Sequence, residues 1–288
     1  MVREPIVAGM FYEDNAEELE KQISECFSHK FGPGAIPEKK DNKKIMAIIA
    51  PHAGYVYSGP CAAWSFKEIA ESYIPDLFIL IGLSHSGYGS CVSLQDWKTP
   101  LGTLKNDQEF TRVLIANSQL KANENAHSKE HSIEVQLPFL QFVNKDNIDK
   151  IKITPVIASP NINYKEIAES IKKTIKQTRK KVCIIASSDF THYGVSYGYL
   201  PFVRNVKENL YKLDKDGIDF IEKLNPEGFL NYVNETGATV CGYYGIATLL
   251  HLCKLLNASE ASLLKYYTSG DIVNDYSNAV GYASIVIK

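Results

Sequence analysis

The chain has 288 residues, of which 45% are hydrophobic, enough to bury a sizeable core in one large domain or two small ones. Its 31 basic and 33 acidic residues leave a formal net charge of -2, which argues against a nucleic-acid-binding or membrane-surface protein. No apolar run approaches the roughly 20 residues that cross a bilayer, and the N-terminus lacks the apolar stretch of a signal peptide. The six cysteines form no C-x-x-C pair and indicate no disulfide framework, so we expect a cytoplasmic protein.

The predicted elements alternate between helix and strand from the start of the chain. Apolar residues at spacings of three and four predict an amphipathic helix over residues 15–27. Apolar runs predict buried strands over 45–50 and 77–81, and Pro60, which suits a first helical turn, indicates a helix over 59–73 between them. The pattern continues over residues 107–117 (helix), 132–143 (helix, kinked at Pro138 or beginning there), 153–158 (strand), 164–177 (helix) and 182–186 (strand).

The last third of the chain is predicted to be mainly helical before two closing strands. Its elements are helices over 206–213, 217–224, 226–234 and 243–256, a glycine-bounded turn over 237–242, and strands over 263–268 and 282–287. The alternation of strand and helix predicts an α/β fold with a mainly parallel central sheet covered by helices on both faces. No repeat or long linker divides the chain, so we expect a single domain over residues 1–288.

Three of the predicted strands run into polar loops that contain histidine. His52 follows the first of them, His85 follows the second, and Asp189 and His192 follow the strand over 182–186. Ligands of open parallel α/β sheets bind at the carboxyl ends of the strands. The sequence therefore predicts a metal site or an acid/base site at this edge of the sheet.

Each residue of these loops also has a simpler interpretation. His52 suits a turn that caps a backbone carbonyl, and His85 lies among glycines and serines that suit a flexible loop. Ser84 nearly completes the nucleophile motif G-x-S-x-G, but Ser86 replaces its last glycine, so a hydrolase is the weakest hypothesis. Tyr55 has the apolar body and polar tip that suit a pocket wall.

Three further residues have a chemical and a structural interpretation. Glu130 and His131 precede an apolar helix, where Ser132 suits an N-cap, but His131 also suits acid/base work. Asp189 and His192 would share a face if they entered a helical turn, and the carboxylate would then orient the imidazole. Cys241 lies just before an apolar helix, a position that lowers a thiol pKa, although a small buried cysteine would also pack well against a glycine there.

These segments together resemble the Memo family, also called protein B of the AmmeMemoRadiSam group. The resemblance covers nearly the whole chain, in the family's order, and the family is similar in fold to the class III extradiol dioxygenases. The strings that carry it are Ile48-Ile49-Ala50-Pro51-His52-Ala53-Gly54-Tyr55, Ser84-His85, Glu130-His131-Ser132-Ile133-Glu134, Ser187-Ser188-Asp189-Phe190-Thr191-His192 and Cys241-Gly242, with Gly9-Met10-Phe11-Tyr12 near the start.

The resemblance implies a pocket that holds non-haem iron. By matching motifs, its ligands are His52, His85 and Cys241, where the dioxygenases use two histidines and a carboxylate. Two imidazoles and a thiolate suit copper or zinc as well as Fe(II). The same motifs place Asp189, His192 and His131 in the pocket, where we expect them to be catalytic, and we expect Tyr55, Ser84 and Glu130 to contact the substrate.

The leading hypothesis is a mononuclear metal-binding redox enzyme with an unassigned small-molecule substrate, in which His192, oriented by Asp189, acts as general acid or base. The alternative is an adaptor that uses the same pocket to hold a peptide segment or a partner protein, as proposed for animal relatives. A third hypothesis is a hydrolase that uses Ser84 with His192 and Asp189. The family's grouping with a radical-SAM protein implies a shared pathway.

Overall fold

The computed structural model describes residues 1–40 and 44–288. Within this part of the chain the strands are β1 (Val2–Arg3), β2 (Ala47–Ala50), β3 (Leu77–Gly82), β4 (Cys91–Val92), β5 (Asp96–Thr99), β6 (Gly102–Asn106), β7 (Lys121–Ala122), β8 (Lys152–Ile157), β9 (Val182–Ser187), β10 (His192–Gly194), β11 (Ala261–Thr268) and β12 (Asn278–Ile287). The α-helices are α1 (Ala16–Ser28), α2 (Tyr55–Ala70), α3 (Gln108–Asn117), α4 (Glu124–Ser128), α5 (Gln136–Val143), α6 (Tyr164–Thr178), α7 (Val206–Glu222), α8 (Pro226–Thr236), α9 (Tyr243–Leu255) and α10 (Ser269–Val273).

The strands form one large mixed sheet whose centre is parallel. Its order is β1-β5-β6-β8-β3-β9-β2-β12-β10, with β11 paired to β12 and β4 paired to β7 and β8. The four central strands β8, β3, β9 and β2 run parallel to one another. On one side β12 joins antiparallel to β2, and β11 then pairs antiparallel to β12. The predicted α/β fold with a mainly parallel centre is confirmed.

Both faces of the central strands are covered by helices, because successive side chains of a strand point to opposite faces. In β2, Ala47 and Ile49 belong to one core cluster with residues of α3, α6 and α9. Ile48 and Ala50 belong to a second cluster with residues of α1, α2 and α5. Strands buried on both faces are uniformly apolar, and the sequence could therefore identify them.

Two predicted helix boundaries are wrong. The second helix begins at Tyr55, and Pro60 lies inside it. Pro60 withholds the N–H that would bond to the carbonyl of Val56, and Val56 is 66% exposed, so water can replace that bond. The helices predicted over 206–213 and 217–224 are one helix, α7. Gly217 lies inside it without interrupting it, and the ring of Tyr232 packs closely against this glycine.

Other boundaries differ by smaller amounts. The helix predicted over 132–143 begins at Gln136, so Pro138 occupies the first turn, where no N–H is needed. The closing strands are longer than predicted and run over Ala261–Thr268 and Asn278–Ile287. The shortest strands and helices, such as β4 and α4, were missed because a few residues show no periodicity.

Two structural findings bear on the expectations about membrane-spanning segments and cysteines. Among the described helices, none combines the length and the apolar character that crossing a membrane requires. All six cysteines are free, and Cys183 and Cys253 are buried in the core as predicted.

Candidate metal centre

The sheet order brings the histidine loops together. β3, β9 and β2 are adjacent, and His85, Asp189 and His52 follow their carboxyl ends within three residues. Cys241 comes from a different direction, two residues before α9. Parallel strands all end at one edge of the sheet, so the loops after them share a crevice.

Three potential ligands converge in this crevice. The donor atoms of His52, His85 and Cys241 all lie within 4.8 Å of one another. His52 Nε2 is 3.2 Å from Cys241 Sγ, and the rings of His52 and His85 are nearly perpendicular, with centroids 5.5 Å apart. Around a tetrahedral ion, a nitrogen and a sulfur ligand would be about 3.6 Å apart, given metal bonds of about 2.1 and 2.3 Å. The three donors therefore fit a single ion.

His52 is the more enclosed of the two imidazoles. It is 2% exposed, and its Nδ1 lies 2.9 Å from Ser187 Oγ, a side chain at the end of β9. The backbone N–H of His52 donates to Asp189 Oδ1 at 2.8 Å. Burial, followed by the positive charge of protonated His85, lowers the pKa of His52 to about 3. His52 is thus neutral at physiological pH, as a metal ligand must be.

His85 is held by a carboxylate. Its Nδ1 is 3.0 Å from Glu130 Oε1, and its backbone N–H donates to Glu130 Oε2 at 2.8 Å. Burial lowers the pKa of His85, but the hydrogen bond and negative charge of Glu130 outweigh it, so the pKa is raised. Burial also raises the pKa of Glu130, and the hydrogen bonds from His85 and Ser132 more than offset this and lower it to about 2. Because Nδ1 of His85 faces Glu130, its Nε2 is the nitrogen available to bind a metal ion.

Glu130 also belongs to a second cluster of possible ligands, with His85 and His131. Its two oxygens already accept the backbone N–H groups of His85 and Ser132 and contact the His85 ring. Glu130 is 1% exposed. A carboxylate engaged in this way orients a histidine and is poorly placed to bind an ion or a substrate. The structure thus places Glu130 behind His85, whereas we expected a substrate contact.

Cys241 is enclosed by the loop after β9. Its Sγ accepts the backbone N–H of Asp189 at 3.2 Å. Burial raises the pKa of the thiol, and the negative charge of Asp189 raises it further. The expected lowering of the pKa by the position before helix α9 is therefore wrong for the metal-free thiol, because desolvation outweighs it. A bound cation would favour the thiolate.

Asp189 and His192 do not form the expected pair. In the described part of the chain, the ring of His192 is held instead by two backbone carbonyls, with Nδ1 at 3.0 Å from Phe190 O and 3.1 Å from Thr239 O. His192 begins strand β10, so the helical turn that would have joined it to Asp189 does not form. Asp189 is 3% exposed, and burial raises its pKa. It is hydrogen-bonded to the backbone N–H of His52 and to Cys241 Sγ.

His131 lies against both imidazole ligands. Its ring stacks on that of His85, with centroids 4.4 Å apart and an angle of 12°, and it also contacts the ring of Phe11. Burial, followed by the charges of His52 and His85, lowers the pKa of His131 to about 4. The expected helix cap at Ser132 is not formed, since its Oγ bonds to the backbone of Leu83 and so supports the His85 loop.

The crevice opens into a cavity of about 400 Å³. It is lined by Phe11, His52, Ala53, Gly54, Tyr57, His85, His131, Asp189, His192, Tyr197, Ser269, Val273, Asn278, Val280 and Tyr282. One cavity is thus lined by five of the predicted site residues, His52, His85, His131, Asp189 and His192. The aromatic walls from Tyr197 and Tyr282 were missed, because nothing in those segments signals a binding site.

Two residues predicted to contact substrate lie elsewhere. Tyr55 is 1% exposed, and its hydroxyl donates to Val135 O at 2.7 Å inside the core. It begins α2, which turns its side chain away from the loop. The Oγ of Ser84 accepts the backbone N–H of Tyr88 at 2.9 Å and so supports its own turn. Among the described residues, the His192 ring bonds to backbone carbonyls and not to Asp189, so no Ser84 triad forms.

Comparison with known proteins gives consistent matches over most or all of the chain. The family model for "Memo-like protein" matches residues 3–286. A MEMO1 family protein of Methanobrevibacter smithii is 41% identical, with all of both chains covered. A MEMO1 family protein of Methanopyrus kandleri is 38% identical, covering 100% of this chain and 99% of that one. An uncharacterized protein from Escherichia coli K12 has a similar structure, with a TM-score of 0.55 at 11% identity, covering 85% of this chain and all of the other.

Proposed function

The chain belongs to the Memo-like protein family, and from that premise we propose that it binds one metal ion through His52, His85 and Cys241. The observation that carries the proposal is the convergence of these three donors within 4.8 Å at the carboxyl edge of the sheet. The Nδ1 atoms of both imidazoles are engaged by neighbouring side chains, which leaves the Nε2 atoms for the ion. Such supporting hydrogen bonds are characteristic of histidine metal ligands.

Fe(II) is the metal we propose, in a redox enzyme that acts on a small organic molecule. When bound, the iron would supply a redox-active Lewis acid beside the cavity. The same donor set also suits copper and zinc. A cavity of about 400 Å³ with aromatic walls matches the size and character of a small-molecule site.

His192 is the residue we assign to proton transfer. Its Nδ1–H donates to the carbonyls of Phe190 and Thr239, so its Nε2 has a lone pair that can accept a proton in the cavity. Its backbone N–H and carbonyl are both bonded to Thr239 Oγ1, which fixes the position of the ring further. His192 can therefore act as a general base toward a bound substrate.

Asp189 has a positioning role in this proposal. Its carboxylate accepts the backbone N–H of His52, and its own N–H donates to Cys241 Sγ. It thus holds two of the three proposed ligands in place. The dioxygenase-like reaction itself, the radical-SAM pathway partner and the cytoplasmic location stay predictions.

The adaptor hypothesis has less support from the cavity. Among the described residues that line it, none is Lys or Arg, the side chains that recognise phosphorylated peptides. An unmodified peptide segment would still fit the aromatic walls. Metal content distinguishes the two hypotheses, because an adaptor has no need of a stoichiometric ion.

The test is elemental analysis of protein purified without oxygen. We expect about one equivalent of iron in the wild type and a loss of most of it in His85→Ala, because one of three protein ligands is removed. His29→Ala is the matched control, since His29 lies outside the cavity and contacts Phe31. The proposal is overturned if His85→Ala retains full metal content under competition with a chelator, or if the wild type binds no metal when iron is added anaerobically.

A further inference from the structure

The hydroxyl of Ser187 lies where three polar groups meet behind His52. Ser187 Oγ is 2.6 Å from Ser132 O, 2.8 Å from Gln136 Nε2 and 2.9 Å from His52 Nδ1. All four residues are buried, with exposures between 0% and 2%. Buried polar groups in contact at such distances are paired as hydrogen-bond donor and acceptor, so each of these three contacts assigns a donor and an acceptor.

The position of the serine proton follows from the first contact. Ser132 O is a backbone carbonyl oxygen and can only accept, so Ser187 must donate its single proton to it. The hydroxyl oxygen then has only lone pairs to offer its other two neighbours. Both of them must be donors.

Gln136 meets this requirement. Its Nε2 also lies 2.9 Å from Pro51 O, another carbonyl that can only accept. If the amide were turned over, its oxygen would face the oxygens of both Pro51 and Ser187. The amide nitrogen of Gln136 therefore donates to both, which occupies its two N–H groups.

The remaining neighbour, His52 Nδ1, must then carry a proton. We infer that Ser187, supported by Gln136, is a positioning residue that fixes His52 as the tautomer with Nδ1 protonated and the Nε2 lone pair directed toward Cys241. His52 Nε2 is 3.2 Å from Cys241 Sγ. The consequence for metal binding rests on the proposed function, whereas the tautomer of the metal-free protein does not depend on it.

The fold holds this arrangement rigidly. Ser187 is the last residue of β9 and pairs with Ala50, the last residue of β2, two positions before His52. Gln136 is the first residue of α5. Two neighbouring strands and a helix therefore fix the serine, the imidazole and the amide relative to one another.

The direct test is the tautomer itself. In metal-free, ¹⁵N-labelled protein at neutral pH, long-range ¹H–¹⁵N correlation should show His52 with a protonated Nδ1 and an unprotonated Nε2. In Ser187→Ala the acceptor is lost, and we expect a mixture of tautomers. A wild-type His52 protonated at Nε2 would overturn the inference, and this measurement needs no variant to fold.

A second readout is the affinity for Co²⁺, measured by competition with a chelator. We expect Ser187→Ala to weaken it by about 10- to 100-fold, as loss of a partner behind a histidine ligand commonly does, and Ser187→Thr, which keeps the hydroxyl, to recover most of it. Ser65→Ala is the matched control, because Ser65 is equally buried and donates to Ile49 O of β2 at 2.8 Å, away from the cavity.

The two proposals fail in different ways. If Ser187→Ala binds Co²⁺ as tightly as Ser65→Ala while both remain folded, Ser187 has no positioning role. If the wild type shows the expected tautomer but binds no metal, the proposed function fails and the assignment of His52 stands.

Discussion

The two imidazoles of the candidate centre are held by opposite means. His52 is 2% exposed and backed by the neutral hydroxyl of Ser187. The side chain of His85 is 38% exposed and backed by the carboxylate of Glu130. The pKa of His52 is lowered and that of His85 is raised. The comparison teaches that similar imidazoles can be held by partners of opposite character. We call the Ser187 side of the centre the neutral side and the Glu130 side the charged side, after the group that contacts Nδ1 of each imidazole.

The charged side extends to the N-terminus of the chain. Arg3 donates to the backbone carbonyls of His127 and Glu130 and forms an ion pair with Glu134 at 2.6 Å. Glu134 also accepts the hydroxyl of Tyr12. The segment that supports His85 is thus held by a buried ionic network, whereas His52 is held by the register of two central strands.

The largest effect is expected from breaking that network. Arg3→Met would leave Glu134 buried without its counter-charge, and we expect a loss of about 3–5 kcal/mol in the free energy of unfolding. Lys98→Met is the control, because the Lys98–Glu4 pair is exposed and worth only about 0–1 kcal/mol. Chemical denaturation measures both, and equal losses would show that the network does not support this side of the centre.

A smaller effect should come from neutralising the carboxylate behind His85. Glu130→Gln keeps the shape but removes the charge, and we expect metal affinity to fall by about 10- to 100-fold. The pH dependence of binding should also move to lower pH, because the negative charge no longer raises the pKa of His85. Ser187→Ala should weaken binding without this shift. Identical pH profiles for the two variants would contradict the division into a neutral and a charged side.

The pH dependence of the wild type follows from the same pKa values. His85 must lose its proton to bind metal, so affinity should fall as the pH drops through its raised pKa, above the ordinary value of about 6.5. Because the pKa of His52 is about 3, protons compete with the metal for this residue only at much lower pH. Calorimetry in buffers of different ionisation enthalpy measures the protons released. Release that does not change between pH 6 and pH 8 would argue against His85 as a ligand.

The stability of the metal-free protein should show the opposite trend. The raised pKa of His85 contributes stability that is present below about pH 6.5 and lost as the pH rises through the folded-state pKa. The lowered pKa of Glu130 contributes stability that is present above about pH 4.3 and lost as the pH falls toward 2. Their joint contribution should be greatest between these limits. Glu130→Gln should remove that maximum from a series of melting temperatures measured across pH.

The smallest effect is expected from Gln136→Met, on the neutral side. It removes the donor to Ser187 and Pro51, and we expect a loss of about 1 kcal/mol of stability. The tautomer of His52 should persist, because Ser132 still takes the serine proton. NMR of the labelled variant checks this, and a change of tautomer would mean that Gln136 has more than a supporting role.

Much of the neutral side could be predicted from the sequence. Its strands are uniformly apolar and end abruptly in polar residues, so the loops that contain His52 and Asp189 were visible without a structure. The role of Ser187 was not, because a serine at a strand end has many possible partners. Tyr55 was wrongly predicted to line the pocket, because Pro60 indicated a helix that starts at residue 59. Helix α2 begins four residues earlier, at Tyr55 itself.

The charged side was much less accessible to sequence reasoning. The Arg3–Glu134 pair joins residues 131 positions apart, and no local pattern links them. The pairing of His85 with Glu130 also depends on how two distant loops meet. The expected Asp189–His192 pair failed although the two residues lie close in sequence, since His192 begins the short strand β10 and no helical turn joins it to Asp189.

The most direct test of the central claim is X-ray absorption spectroscopy at the iron edge of anaerobically loaded protein. Ligation by His52, His85 and Cys241 predicts one sulfur scatterer and two imidazole rings around each iron. Cys241→Ser should remove the sulfur scatterer, whereas Cys26→Ser, a change at a buried cysteine outside the centre, should leave it in place. A wild-type spectrum without sulfur ligation, or a sulfur signal that survives in Cys241→Ser, would contradict the account.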